Sequence, residues 1–369
     1  MINRLKRVLN NLNLNSGEQC KSKPRQLVEI IYLALRYRLA PIEYRTYRFF
    51  NKDKKMPEMS TYISNHEILN KIRPRLYDRT LLPMLTNKLI FNRYYKASGL
   101  PLPHLYAYYH SGSGFTAEND LLRSGKDLRQ WLARTGLNCF FIKPCGGKKG
   151  SDVLAIKQVT KYNGDYLLSD SSGSSRYLGE LTTHLEQESK ESTYPGYLFE
   201  EMIEQHPTLS EINQSSVNTC RILTLILPNN TINIPFAVMR FGREGSAVDS
   251  WSRGGIAFAV DLETGKLGKG LFHPDWGSTK EVTRHPDSEV ELSGLKIPYW
   301  NEIKEVVRNA ALVTPGIKSI GWDVAVTQKG PLLIEGNSLW SPLIFQAIYG
   351  GFLSAENREL FNQAGAAWR

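Results

Sequence analysis

The stretch from Ile320 to Asn337 restricts the fold more tightly than any other part of the chain. It reads Ile320-Gly-Trp-Asp-Val-Ala-Val-Thr327, then Gln-Lys-Gly330, then Pro331-Leu-Leu-Ile-Glu-Gly-Asn337. Two strand-like runs flank a short turn ending in Gly, a common hairpin form. With a three-residue turn, Thr327 faces Pro331 and Asp323 faces Glu335 directly. Alternation then puts Asp323, Glu335, Asn337 and the small Ala325 on one face. Trp322, Val324, Val326, Leu332 and Ile334 cover the other. Carboxylates opposed at about 5 Å between Cβ atoms repel unless positive charge lies between them. Mg²⁺ takes octahedral oxygen ligands, typically one or two carboxylates completed by phosphates and waters. A polar face exposed on an edge hairpin is the plainer reading, and the hairpin alone does not separate the two.

Upstream residues favour the metal. Cys139-Phe-Phe-Ile-Lys143-Pro reads as a buried strand that delivers a lysine at its end. The loop Gly146-Gly147-Lys-Lys-Gly150-Ser151 follows at once. Its glycines let backbone N–H groups approach phosphate oxygens, although an exposed turn is the default for so bare a motif. The spacing is not that of a Walker A loop. Tyr197-Leu-Phe-Glu-Glu-Met-Ile203 reads as a strand running into an acidic segment, and Thr219-Cys-Arg-Ile-Leu-Thr224 embeds Arg221 in an apolar strand. A buried arginine requires an anionic partner, either a structural acid or a phosphate.

With 369 residues the chain exceeds what one core usually serves, so at least two subdomains are expected. Hydrophobic residues at 41% and charged residues at 22% exclude a disordered chain. No apolar run reaches the roughly 20 residues of a membrane-spanning helix. The first 25 residues are too polar and charged for a secretion signal. Cys20, Cys139, Cys145 and Cys220 form no Cys-x-x-Cys pair, which fits a reducing cytoplasm without zinc.

The net charge of +10 is unevenly placed. Residues 1–96 carry 20 basic and 7 acidic side chains, a net +13, so the rest is slightly acidic. Such a patch suits anionic lipid, nucleic acid or an acidic polymer. From Pro24 to about Phe50 the pattern is helical, with Leu27, Ile30, Ile31, Ala34 and Leu35 on one face. It reads as a helix packed on the body with a solvated basic side, a membrane-surface helix being the sharper alternative. A charged linker around Pro57 and a helical stretch over 64–86 follow, then a helix from Asn87 to Ser98 capped by Thr86. Short strands then alternate with turns, and residues 298–313 read as helix. The expected division is a helical basic region over 1–85 and an α+β domain over 86–369.

Taken in order, Asn87-Lys-Leu-Ile-Phe91, Phe141-Ile-Lys-Pro144, Phe199-Glu-Glu-Met-Ile203, Ser216-Val-Asn-Thr-Cys-Arg221, Gly254-Gly-Ile256, Ile297-Pro-Tyr-Trp300, Ile320-Gly-Trp-Asp323 and Ile334-Glu-Gly-Asn337 resemble the ATP-grasp superfamily, specifically its sugar-transfer-associated branch. The resemblance spans about residues 40–345 and implies two α+β subdomains gripping ATP. It implies that Lys88 and Lys143 meet the nucleotide phosphates. Glu201 and Ile203 would present backbone to adenine, with Glu200 or Glu204 nearby. The loop of Gly146, Gly147 and Gly150 would close over the phosphates, Arg221 would hold the γ-phosphate, and Asp323, Glu335 and Asn337 would carry Mg²⁺.

The chain departs from many peptide-forming relatives, which place an arginine two positions before the first metal aspartate; here stands Gly321. Transition-state charge then falls to another residue, with Arg240 and Arg253 as candidates. The implied reaction forms an acyl phosphate that an amine attacks, releasing ADP, with a uronic acid or sugar-linked amino acid as one substrate. A phosphotransferase on the same scaffold and a catalytically silent nucleotide- or polymer-binding module are the rivals. The basic region would gather an anionic polysaccharide or rest on the inner membrane of an otherwise cytoplasmic protein. It lacks any helix-turn-helix or aromatic RNA-binding signature, so nucleic acid is not an expected partner.

Overall fold

The computed structural model describes residues 14–146, 153–170, 173–246, 248–251, 254–273 and 279–366. Helix α1 (Lys23–Tyr37) opens the described chain, with Pro24 at its start and Arg38 in the left-handed region at its end. Short helical turns lead to α2 (Lys88–Ala97). Its N-cap is Asn87 rather than Thr86: the Asn87 side chain accepts from the N–H groups of Leu89 and Ile90. An amide oxygen one residue nearer the helix replaces the expected hydroxyl.

Seven strands form a first antiparallel sheet: β1 (Leu105–Tyr109), β2 (Phe115–Thr116), β3 (Phe140–Pro144), β4 (Leu154–Tyr162), β5 (Asp165–Asp170), β6 (Ser175–Tyr177) and β7 (Tyr197–Glu200). Their order is β2-β1-β7-β3-β4-β5-β6. Two helices, α3 (Gly125–Thr135) and α4 (Leu178–Glu191), cover one face. Trp131, Leu128, Leu181 and Leu185 pack there against Phe140, Ile142, Tyr197 and Phe199. Period-two alternation leaves Phe141, Lys143 and Glu200 on the opposite, uncovered face.

The second sheet contains β8 (Thr219–Ile226), β9 (Ile232–Phe241), β10 (Ile256–Val260), β11 (Leu267–Phe272), β12 (Lys280–Val282), β13 (Ser319–Thr327) and β14 (Gly330–Asn337). Its order is β12-β11-β10-β9-β8-β13-β14, again antiparallel throughout. Helices α5 (Trp300–Leu312) and α6 (Pro342–Tyr349) contribute to the core around this sheet. The N-terminal helices share that core: Ile30, Leu33, Phe49, Ile63, Leu76 and Tyr95 lie in one buried cluster with Ile222, Trp322 and Val324. The described part of the helical region therefore has no core of its own.

The hairpin differs from expectation in an instructive way. Its turn has two residues, not three, so Thr327 pairs with Gly330 and Val326 with Pro331. A bulge then lets Val324 pair with Leu333 but Asp323 with Glu335. One error offsets the other, and the two carboxylates stand opposite each other as expected. Ile334 is the extra residue, and the bulge brings it to the Glu335 side, where it lines the cavity rather than covering the far face.

Candidate active site

The uncovered face of the first sheet meets the polar face of the second across a cavity of about 400 Å³. Lys88, Lys143, Glu200, Ile203, Arg221, Arg240, Asp323, Glu335 and Asn337 all line it.

Lys143 ends β3, and its Nζ donates to Glu200 Oε2 at 2.7 Å while lying 5.3 Å from the Phe141 ring centroid. Lys88 is the first residue of α2. Its backbone N–H donates to the Cys145 carbonyl at 3.0 Å, which ties the helix start to the end of β3. The helix is fixed against the second sheet by Tyr95, which meets Trp322 edge-on at 5.7 Å. Burial lowers the Lys88 pKa against the pull of the Glu335 carboxylate.

Across the cavity, sheet register arranges the charges. Asp323 on β13 is paired with Arg221 on β8 and with Glu335 on β14. The Arg221 guanidinium grips Asp323 through Nε and through Nη2, the latter at 2.7 Å from Oδ2. Its Nη2 stands 3.9 Å from Glu335 Oε1. Arg240 on β9 reaches the same carboxylate, Nη2 to Asp323 Oδ2 at 3.1 Å, and meets Asp249 Oδ2 at 3.3 Å. Thr219 joins the row: its N–H donates to Asp249 Oδ2 at 2.9 Å, and its hydroxyl oxygen accepts from Arg240. The arginine embedded in the strand thus has a structural acid as its partner, one of the two alternatives its burial allows.

These contacts set the proton affinities. Burial opposes the Asp323 charge, but Arg221 and Arg240 overcome it and hold the carboxyl far below its ordinary value. Burial raises the Glu335 pKa and the neighbouring Asp323 charge adds to the rise. The 37% of the Glu335 side chain that stays accessible limits how far that rise goes. Asp249 is raised by burial despite Arg240 beside it.

Two glycines stand where packing leaves no room for a side chain, Gly321 on the Asp323 face and Gly336 on the opposite, core face. A Cβ on Gly321 would come within 2.9 Å of Trp340 Cβ, so no side chain fits where many relatives carry an arginine. One on Gly336, between Glu335 and Asn337, would strike Leu85 and Trp322. Arg240, two strands from β13, supplies a guanidinium to Asp323 instead.

Asn337 Nδ2 donates to Glu335 Oε1 at 3.0 Å, so the amide and both acids form one group. Among the described residues no three His, Cys, Asp or Glu side chains gather as a metal site. Two acids and one amide oxygen suit a hard divalent cation whose remaining ligands are phosphates and waters.

Some expected residues fall elsewhere. Gly146 packs against Ser192 and Tyr194, not in the cavity lining. Glu201 gives its N–H to the His104 carbonyl and Glu204 is exposed, neither lining the cavity. Gly147, Gly150 and Arg253 lie outside the described residues. Asp249, Thr219 and Trp251 went unnoticed in the sequence. Thr219 was findable, since it alternates with Arg221 on β8, whereas Asp249 sits in a loop with no periodic signal.

The sugar-transfer associated ATP-grasp family matches residues 68–360. This chain belongs to that family. No curated protein matches it. Among solved structures, the ADP complex of purK, an N5-carboxyaminoimidazole ribonucleotide synthetase, matches at 8% identity and a TM-score of 0.38, covering 70% of this chain and 46% of that one. The ATP-grasp ligase PsnB with minimal precursor, Mg and ADP matches at 12% identity and a TM-score of 0.37, covering 79% and 62%. A biotin carboxylase complex from Campylobacter jejuni matches at 8% identity and a TM-score of 0.44, covering 78% and 48%. Each is a distant likeness, and this chain spans less than two thirds of each. Membership in the ATP-grasp family accounts for the two antiparallel sheets facing each other across the cavity.

Proposed function

We propose that this family member is a Mg-ATP-dependent ligase that activates a carboxylate as an acyl phosphate for attack by an amine. The observation that carries the reading is the register row Arg221–Asp323–Glu335 facing Lys88 and Lys143 across one cavity. Asp323, Glu335 and Asn337 would hold Mg²⁺, which when bound shields phosphate charge and orients the terminal phosphoryl group. Lys88 and Lys143 stand where the remaining phosphate charge would lie, and Glu200 keeps Lys143 in place. Ile203, Leu102 and Phe141 line the cavity and would offer an apolar surface to adenine.

In the proposed reaction, a substrate carboxylate oxygen bonds to the γ-phosphorus while the bond to the β–γ bridging oxygen breaks, leaving ADP. The amine nitrogen then bonds to the acyl carbon, phosphate departs with its bonding electrons, and the amine loses a proton to solvent. Two anions must be brought together for the first step. Lys88, Lys143 and Arg240 lower that repulsion in a partly dry cavity, where positioned charge counts for more than in water. The family's association with sugar transfer favours a uronic acid or sugar-linked amino acid, hence a role in polysaccharide biosynthesis.

The test is a screen of uronic acids with amines for Mg²⁺-dependent ADP release. Release that needs both substrates and is lost in Asp323→Asn supports the reading. Formation of AMP and pyrophosphate contradicts it.

A further inference from the structure

Helix α1 presents its faces the wrong way round for a helix that serves only to pack. The expected inward face held Leu27, Ile30, Ile31, Ala34 and Leu35. The buried residues are instead Gln26, Glu29, Ile30 and Leu33, while Val28 is 65% exposed, Tyr32 44% and Leu35 64%. The cause is a polar anchor. Glu29 accepts from Lys21 Nζ and Tyr44 OH, each at 2.8 Å, and from Arg25 Nε at 3.1 Å. The Gln26 amide donates to the carbonyls of Asn15 at 2.8 Å and Lys21 at 2.7 Å. These bonds draw the polar side of the helix inward and turn the aliphatic stripe out.

We infer that this outer face of α1 docks on an anionic lipid bilayer. Val28, Tyr32 and Leu35 follow i, i+4, i+7 spacing and form one stripe. Lys23 and Arg25 lie exposed toward its first end, Arg36 and Arg38 toward its last. The only acid of the helix, Glu29, is buried and pairs with Arg25, so Lys23, Arg36 and Arg38 meet no acid of α1 at the surface. Apolar side chains enter the headgroup boundary while flanking cations meet lipid phosphates, the arrangement of a helix lying in the interface. No described helix is long and apolar enough to cross a membrane, so α1 lies on the surface. A second protein fits less well. A stable protein interface buries about 800 Å² per partner, far more than three side chains offer, whereas a bilayer adds attraction from every nearby cation. Lys23, Arg36 and Arg38, all exposed, supply them.

The test is sedimentation of the full-length protein with vesicles of phosphatidylcholine alone or mixed with phosphatidylglycerol. The inference predicts retention on the mixed vesicles only, declining as salt is raised. Val28→Ser with Leu35→Ser should weaken retention about tenfold or more. Lys23→Gln and Arg36→Gln should each weaken it roughly fivefold. These positions are exposed, and an unaltered unfolding midpoint for each variant shows that the fold is kept. No retention of the wild type, or equal retention of the Val28→Ser/Leu35→Ser protein, overturns the inference. So does a concentration-dependent dimer that the same double substitution abolishes, which would place a second copy on the stripe. None of these outcomes depends on nucleotide chemistry.

Discussion

The two sheets bury charge very differently. In residues 105–200, among those described, the single buried carboxylate, lysine, arginine or histidine is Glu200, at the cavity edge and paired with Lys143. The body built on the second sheet buries Lys21, Glu29, Glu43, Glu67, Asp249 and Asp323, several of them far from the cavity. One sheet is an apolar sandwich with a lysine at its rim. The other is a scaffold whose interior is wired by ions. The Lys143–Glu200 pair is as shielded as the ions of the network, but it stands alone, so removing one partner strands a single charge beside the cavity. A desolvated network is more demanding, since one deletion there leaves more than one partner short.

The largest effect is expected at Asp323. Asp323→Asn removes a proposed Mg²⁺ ligand and leaves Arg221 and Arg240 short of their shared carboxylate. Activity should fall at least about 100-fold and stability by about 3 kcal/mol. Chemical denaturation beside the ADP-release assay reads both, and an unchanged stability would show the network to be weakly coupled.

Next comes Arg240→Met, which strands Asp249 and should likewise cost about 3 kcal/mol. Adding Asp249→Asn should restore at least about 1 kcal/mol of that loss, a coupling read from a double-mutant cycle. Strict additivity would break the comparison.

The third effect is a pH dependence belonging to the second body. Burial raises Glu43 to about 7, against hydrogen bonds from the N–H groups of Ala40 and Asn65. The folded state then binds more protons than the unfolded state between about 4.5 and 7. Stability should fall by about 3 kcal/mol as pH rises through that window, and Glu43→Gln should flatten the slope. Asp323 acts in the opposite sense. Its depressed pKa contributes stability above the ordinary carboxylate range, lost as pH falls through the folded value below it. Unfolding midpoints measured from pH 4 to 8 would read the Glu43 slope alone, because the Asp323 window lies below that range.

The smallest effect on stability is expected at the rim. Lys143→Met strands only Glu200 and should cost about 2 kcal/mol, less than Asp323→Asn, while weakening nucleotide binding roughly tenfold. A large loss of stability would make the first sheet as dependent on its ion pair as the second.

Much of this site is legible in the sequence because strands impose a simple rule. Alternation places Lys143 with Phe141, and Arg221 with Thr219, without further knowledge. Turn chemistry predicts three residues where the hairpin has two, and the Asp323–Glu335 pairing holds because the bulge at Ile334 shifts the register by one. Helix α1 departs from its sequence pattern for a different reason. A helical wheel treats Glu29 and Gln26 as outward residues, yet Lys21, Tyr44 and Asn15 approach from other segments and satisfy them inside. Tertiary partners of this kind leave no local trace. Asp249 illustrates the same limit, since its pairing with Arg240 arises only when a loop folds over β8 and β9.

The central claim is that Asp323 and its neighbours form a Mg-nucleotide site, and it is tested most directly by thermal unfolding with and without Mg-ATP, for the wild type and for Asp323→Asn. Ligand at about 100 times its dissociation constant adds roughly 2.7 kcal/mol, enough to raise the midpoint by a few degrees. The account predicts a rise in the wild type that requires Mg²⁺ and is absent from the variant. A midpoint that ATP leaves unchanged, or one that rises equally in both proteins, contradicts it.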